Sequence, residues 1–247
     1  MAVLEARNIS IAFGGFYAVK NVNFTLQEGA VQAVIGPNGA GKTTLFNLLT
    51  KFLRPTKGQI FHEGTDVTVM TPAAIARRGV VRSFQISAVF QALTVRENIE
   101  LALLRRSGLQ WRLLGHARRN KALVERTNEI LEQFGFAKEA DMATSRLSYG
   151  RKRVLELATT VAADPEVLLL DEPMAGLGRE DIDRVTDLIQ QIARGRSVLL
   201  VEHNMQVVSR LADRITVMVR GQVLAEGSYA EVSTRPDVIA AYTGGGH

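Results

Sequence analysis

The sequence predicts an α/β domain on a mainly parallel sheet, interrupted by an inserted helical subdomain. Two observations carry this. Short strand-like runs occur at Val3–Ala6, Val22–Leu26 and Val31–Ile35, and again, after a long gap, at Val167–Leu170, Ser197–Val201 and Ile215–Val219. The later runs alternate with helical patterns and are continuously apolar, as strands covered on both faces are. The gap itself, from about Ser87 to Ala163, reads as helix. The expected division is therefore an α/β core over 1–86 and 164–247 with a helical subdomain over 87–163 inside a single domain of 247 residues.

Composition narrows the class. Hydrophobic residues make up 46% and charged residues 22%, ordinary for a folded globular chain, which excludes a disordered or fibrous one. With no cysteine, disulfide scaffolds and thiol chemistry are excluded too. The start, MAVLEARNIS, has no basic-then-apolar signal pattern, and no run approaches the roughly 18 apolar residues of a membrane span, so the chain itself is expected to be soluble. A net charge of +5 is concentrated between Leu103 and Arg126, where Arg105, Arg106, Arg112, Arg118, Arg119, Lys121 and Arg126 face one acid, Glu125. This reads either as a solvated helical face or as a surface held near lipid head groups or an acidic partner.

The strongest chemical signal follows the strand Val31–Ile35. Gly36-Pro37-Asn38-Gly39-Ala40-Gly41-Lys42-Thr43-Thr44 matches G-x-x-x-x-G-K-[ST] between a strand and a helix. Its glycines let the backbone turn tightly and aim N–H groups inward, at the positive end of the next helix, which makes an anion nest. Lys42 is expected to reach the β- and γ-phosphates of ATP and the Thr43 hydroxyl to ligand Mg2+. The second element is Val167-Leu168-Leu169-Leu170-Asp171-Glu172. Two acids at the carboxyl end of a buried strand sit where open α/β sheets bind ligands. Asp171 is expected to hold magnesium through water, and Glu172 to act as general base on the attacking water.

Between these lies Leu147-Ser148-Tyr149-Gly150-Arg151, followed by Val154, Leu157, Ala158 and Val161 at helical spacing. Ser148 and Gly150 open this helix and offer a hydroxyl and N–H groups at its positive end. A helix from Gly150 to Ala163 is about 21 Å long. If its far end feeds the strand carrying Asp171, Ser148 lies beyond reach of ATP on its own Lys42 loop and within reach of ATP on a second subunit. Taken alone the pentapeptide is an ordinary helix cap, Phe13 a core aromatic and Gln85 an unremarkable polar residue.

In this order and spacing, the phosphate loop, LSYGR, LLLDE and a histidine after the next strand resemble the nucleotide-binding subunit of ABC transporters, across essentially the whole chain. The resemblance implies an antiparallel β subdomain beside the P-loop NTPase core and helical insertion. It implies that Phe13 stacks on adenine, with Phe16 and Tyr17 as close competitors, and that Gln85 senses magnesium and connects to the helical subdomain. His203 would contact the γ-phosphate, Ser148 and Gly150 would close over the partner's ATP, and Ala175-Gly176-Leu177-Gly178 would couple the two sites. Partners implied are transmembrane permease subunits, a second ATPase copy or close relative and, indirectly, an external solute-binding protein, at the cytoplasmic face of the plasma membrane. Three positions depart from the common family pattern: Tyr149 for a glycine, Arg151 for a glutamine, and Gly178 for an aspartate or asparagine.

Phe13-Gly14-Gly15, Arg82-Ser83-Phe84-Gln85, Leu93-Thr94-Val95-Arg96-Glu97-Asn98, the tyrosine of LSYGR and Val201-Glu202-His203-Asn204-Met205 are similar to ATPases of branched-chain amino-acid importers, a group whose relatives carry amides, urea or aromatic acids. The stretch after Arg220 is expected to be too short for an added regulatory domain. Soluble ABC ATPases acting on nucleic acid or ribosomes generally carry a coiled-coil insertion or two tandem cassettes; neither is visible, so nucleic acid is not the expected partner. A regulator without turnover would lack Glu172 or His203, and both are present. Cargo is expected to be chosen by the permease and binding protein rather than by this chain.

Overall fold

The computed structural model describes residues 1–83, 89–106 and 120–243. They form two compact units: Met1–Arg82, Glu166–Met174 and the chain from Ile189 onward in the first, Ser83–Pro165 and Ala175–Leu188 in the second. The second therefore takes in Ala175–Leu188, a stretch that sequence pattern alone placed in the α/β core.

The first unit holds two sheets among the described residues. One is antiparallel, in the order β2-β1-β4-β5, from β1 (Ala2–Phe13), β2 (Phe16–Gln27), β4 (Lys57–His62) and β5 (Thr65–Asp66). The other, in the order β10-β9-β3-β8-β7-β6, combines β3 (Val31–Ile35), β6 (Val80–Arg82), β7 (Val167–Asp171), β8 (Ser197–Val201), β9 (Arg214–Val219) and β10 (Gln222–Gly227). All its pairings are parallel except β9 with β10. Every residue of β3, β7 and β8 is buried, which is why these strands read as unbroken apolar runs. Four strands, β4, β5, β6 and β10, carried no legible strand pattern.

Helices α1 (Lys42–Leu49) and α2 (Pro72–Arg77) also belong to this unit, as do α7 (Met205–Leu211), α8 (Tyr229–Ser233) and α9 (Pro236–Thr243). Leu45, Phe46, Leu48 and Leu49 of α1 join Leu4, Phe24, Ile60, Val167 and Leu199 in one core, so the helix after the phosphate loop is anchored on its apolar face. A second cluster packs Val208, Val232 and Val238 with Ala33, Ile35, Ile215 and Val217.

In the second unit, α3 (Val95–Arg106), α4 (Lys121–Gln133) and α5 (Tyr149–Ala162) pack together. The α3 start is fixed by reciprocal capping: the Thr94 N–H donates to Glu97 Oε2 at 2.8 Å and the Glu97 N–H to Thr94 Oγ1 at 3.1 Å. Asn98, buried, accepts from the Phe90 N–H and donates to the Phe90 and Thr94 carbonyls and the Thr144 hydroxyl. Helix α6 (Arg179–Ile192) straddles the division of the chain. Of the basic stretch, Lys121 and Arg126 pair on the α4 surface with Glu125 and Glu129, as a solvated face does. Arg112, Arg118 and Arg119 lie outside the described residues, and of Arg105 and Arg106 only the backbone is described.

Helix α1 ends in a way that costs stability. Lys51, one residue past the Thr50 C-cap, is left-handed at φ 67, a position that glycine fills most readily. Its side chain is buried and its Nζ has no hydrogen-bond partner. Burial brings the amine down from 10.5 to about 8, against the pull of Asp66. Replacing Lys51 by glycine removes both the left-handed penalty and the buried cation, and urea unfolding at pH 7 should show a gain of about 1 kcal/mol or more. Below pH 8 folded and unfolded chains both carry the proton, so the burial cost stands in full. Between about 8 and 10.5 only the folded chain sheds it, so the advantage of Lys51→Gly should shrink as pH rises through that window.

Candidate functional site

At the carboxyl end of β3 the chain turns through Gly36–Gly41 into α1. Gly36 has φ 149, and a Cβ there would stand 2.1 Å from the Met218 carbonyl oxygen; at Gly41, with φ 98, it would stand 2.5 Å from that of Ala18. Glycine is required at both because other backbone occupies the space. The loop is tied down further by the Gly221 N–H on the Ala40 carbonyl. Gly41 caps α1 without a side-chain hydrogen bond, whereas Thr71, Asn120, Ser148, Asn204 and Ser228 cap their helices through side chains. The first N–H groups of α1 are thus left for an outside acceptor.

In front of this turn lies a cleft of about 230 Å3 lined by Asn38–Thr44, Phe16, Ala18 and Glu172. It brings together most of the predicted phosphate loop and the predicted general base. Of the aromatic residues at the hairpin, Phe16, not Phe13, lines the cleft; Phe13 pairs with Phe16 across Gly14–Gly15. Lys42 Nζ donates to the Gly36 and Pro37 carbonyls at 2.8 and 3.1 Å. Burial lowers its pKa, opposed by the charges of Glu172 and Asp171.

Strand order sets the rest. β8 lies between β3 and β7, and Val201 registers with Val34 on one side and Asp171 on the other. The phosphate loop and the Asp171–Glu172 pair are therefore two strand spacings apart, about 10 Å, at the carboxyl ends of the central strands. Asp171 is buried, and its Oδ2 accepts from Arg82 Nη2 at 2.7 Å, while Oδ1 is buried without a partner. Arg82 also donates to Asn47 Oδ1 and lies over the Phe46 ring. Burial pushes the Asp171 carboxyl up and Glu172 adds to the shift, against Arg82 and Lys42. An orphaned buried carboxylate oxygen that is hard to ionise suits an oxygen-coordinated divalent cation reached directly or through water. Glu172 follows in a left-handed conformation, φ 47, with its N–H on the Val201 carbonyl.

Two residues that motif reading did not assign to the site hold it together. Arg82 is one. The other is Glu202, buried after β8, whose Oε1 accepts from the Met174 N–H at 3.0 Å and whose Oε2 accepts from the N–H groups of His203 and Asn204 at 3.0 and 3.2 Å. It fixes the backbone on both sides of β7–β8. The exposed His203 imidazole is carried on this anchored backbone. The only sequence signal for Glu202 was an acid closing an apolar strand before His203-Asn204.

In the second unit, Ser148 Oγ accepts from the Arg151 N–H and caps α5. At Gly150 a Cβ would stand 2.3 Å from Asp181 Oδ2, so a side chain there would have to displace that carboxylate. Tyr149 donates to the Ala175 carbonyl at 3.2 Å and its ring covers Gly176. Arg151 is bound to Glu139 and the Gly135 carbonyl and stacks on Phe136 at 3.9 Å, so its charge is engaged inside the unit. Gln85 lies outside the described residues.

Residues 19–175 match the ABC transporter family model, and residues 222–247 match that of the branched-chain amino acid ATP-binding cassette transporter. The chain is 39% identical to the high-affinity branched-chain amino acid transport ATP-binding protein LivG of Salmonella typhimurium and 37% identical to BraF of Pseudomonas aeruginosa, in each case over 98% of both chains. Its backbone is similar to that of an ATP-binding cassette of an ABC transporter in its ADP conformation, with a TM-score of 0.85 at 30% identity over 99% of both.

Glu202→Gln leaves one of the three N–H groups facing another donor. We expect a loss of stability of about 1–3 kcal/mol, and ATP turnover reduced further than nucleotide affinity because the Met174 N–H, two residues past Glu172, loses its acceptor. Urea unfolding together with steady-state ATPase kinetics checks both; unchanged turnover would remove Glu202 from the site.

Proposed function

The chain belongs to the ATP-binding cassettes of ABC transporters, and on that premise we propose that it is the motor of an importer for branched-chain amino acids or a closely related small solute. As a member of that family it binds and hydrolyses ATP, works within a membrane transporter and acts with permease subunits and a second cassette. The observation that carries the mechanistic reading is the convergence of Lys42, Asp171, Glu172 and the uncapped N-terminus of α1 at the carboxyl ends of β3 and β7.

ATP phosphates occupy the Gly36–Thr44 turn, with Lys42 exchanging the Gly36 and Pro37 carbonyls for the β- and γ-phosphates. The hairpin bearing Phe13 and Phe16 supplies an aromatic face for adenine. Thr43, Asp171 and Gln85 would hold Mg2+, which when bound would supply charge neutralisation for the phosphates. Glu172 takes the proton of the attacking water, and His203 steadies the γ-phosphate. Ser148 and Gly150 serve the ATP of the partner cassette, so that binding closes the pair and hydrolysis reopens it. Ala175–Gly178, touched by the Tyr149 side chain, couples the two sites. The permease holds the chain at the cytoplasmic face of the membrane, and a solute-binding protein outside delivers cargo. No helix among the described residues is long and apolar enough to cross a membrane.

Glu172→Gln keeps size and hydrogen bonding but removes the base, so ATP turnover should fall by about 100-fold or more with nucleotide affinity retained. In cells whose only copy carries this change, uptake of labelled leucine should be lost while urea, a short amide and phenylalanine report on the neighbouring cargo classes. Loss of one class identifies the cargo. Unaltered uptake of all four, with the variant expressed, overturns the proposed cargo range.

A further inference from the structure

Away from the nucleotide cleft, His62, Glu63 and Glu166 bring one ligand atom each to within 4.8 Å of one another. His62 ends β4; its side chain is 1% exposed and neither ring nitrogen has a hydrogen-bond partner. A neutral imidazole carries one N–H and one lone pair, and burying both without partners is costly. Nδ1 faces Glu63 Oε2 at 4.0 Å, too far for a hydrogen bond. Glu166 completes the group, and its carboxyl is pushed up by burial and by the charge of Glu63, with Glu28 adding to it. The carboxylates thus crowd one another beside an imidazole whose nitrogens have no hydrogen-bond partner.

We propose that His62, Glu63 and Glu166 form a binding site for a divalent transition cation of the Zn2+ type, with water completing the shell. The donor set of one imidazole and two carboxylates suits that class, whose Zn–N and Zn–O bonds are about 2.0–2.2 Å. Tetrahedral ligands at such distances stand about 3.4 Å apart, so the Nδ1 to Oε2 gap closes by a small side-chain rotation. The backbone of each ligand is already fixed. His62 pairs with Leu4 and Thr65. The Glu63 N–H donates to the Val3 carbonyl, and Glu63 holds a left-handed φ of 48. Glu166 donates through its N–H to Gly79 and accepts from the Ser197 N–H. Bound there, the cation ties the β4–β5 turn of the antiparallel sheet to the residue that leads into β7. The site shares no residue with the nucleotide cleft and stands independently of the proposed function.

The full chain, stripped with a chelator and free of nucleotide, is titrated with Zn2+ by calorimetry and with Co2+ by visible absorption. The expected result is one saturable site per chain, with a rise in Tm on Zn2+ binding and a four-coordinate Co2+ band. Glu63→Gln and Glu166→Gln, both at exposed positions, should fold as the parent does yet weaken this site by about tenfold or more and abolish the band. Asp171→Asn should leave it intact, which separates it from the magnesium position. Absence of saturable Zn2+ binding, or binding of equal strength in both glutamine variants, overturns the assignment.

Discussion

Every group in the nucleotide cleft depends on β8 being hydrogen-bonded in parallel to β3 on one side and β7 on the other. Val201 is the shared reference: it registers with Val34, whose strand runs into the phosphate loop, and with Asp171. A slip of one residue in the β7–β8 pairing would turn Asp171 to the opposite face of the sheet, away from Arg82, and bury its carboxyl against apolar side chains. Complete burial of β3, β7 and β8 opposes any such slip. The same apolar packing that stabilises the first unit thereby fixes the separation between loop and acids.

That packing surrounds several charges, and stability does not account for them. Asp171 and Glu202 are buried, with Lys42 nearly so. Ion pairs in such surroundings roughly cancel their desolvation cost, and apolar residues of similar shape often do better. The Asp171 carboxyl is matched on one oxygen only, by Arg82, and the other has no hydrogen-bond partner. Arg82 in turn is steadied by Asn47 and by the Phe46 ring on α1. The charge that balances Asp171 is thus braced against the helix that begins at the phosphate loop, which links the two halves of the cleft through one guanidinium.

The parts legible in sequence were those with local signatures. The glycine loop between an apolar run and a helix, and the acids ending Val167–Leu170, are contiguous patterns whose chemistry follows from spacing. Strands β4, β5, β6 and β10 were not legible, because Lys57–His62 and Gln222–Gly227 mix polar and apolar residues, Thr65–Asp66 is two exposed polar residues and Val80–Arg82 is very short. Such strands are defined by partners distant in sequence, as β6 is by β7. Arg82 escaped for the same reason, since its partner Asp171 lies 89 positions away. Glu202 was visible as a residue, but the donors it accepts from are backbone N–H groups, which leave no trace in composition. His62 was a single histidine in an unrecognised strand, and only the fold brings Glu166 beside it.

The left-handed backbone at Glu172 shows how the neighbouring acids are kept to separate tasks. In an extended strand Asp171 and Glu172 would point to opposite faces of the sheet, and both faces of β7 are covered by apolar packing. A left-handed residue directly after the strand instead turns the chain, leaving Asp171 with Arg82 in the interior and bringing Glu172 to the cleft lined by Lys42. For a residue with a Cβ this conformation costs about 1–2 kcal/mol. It is bracketed by two restraints, the Glu172 N–H on the Val201 carbonyl and the Met174 N–H on Glu202. Strain and restraint therefore coincide at the residue proposed to move the proton, and both are referred back to β8, the strand that sets the spacing of the cleft.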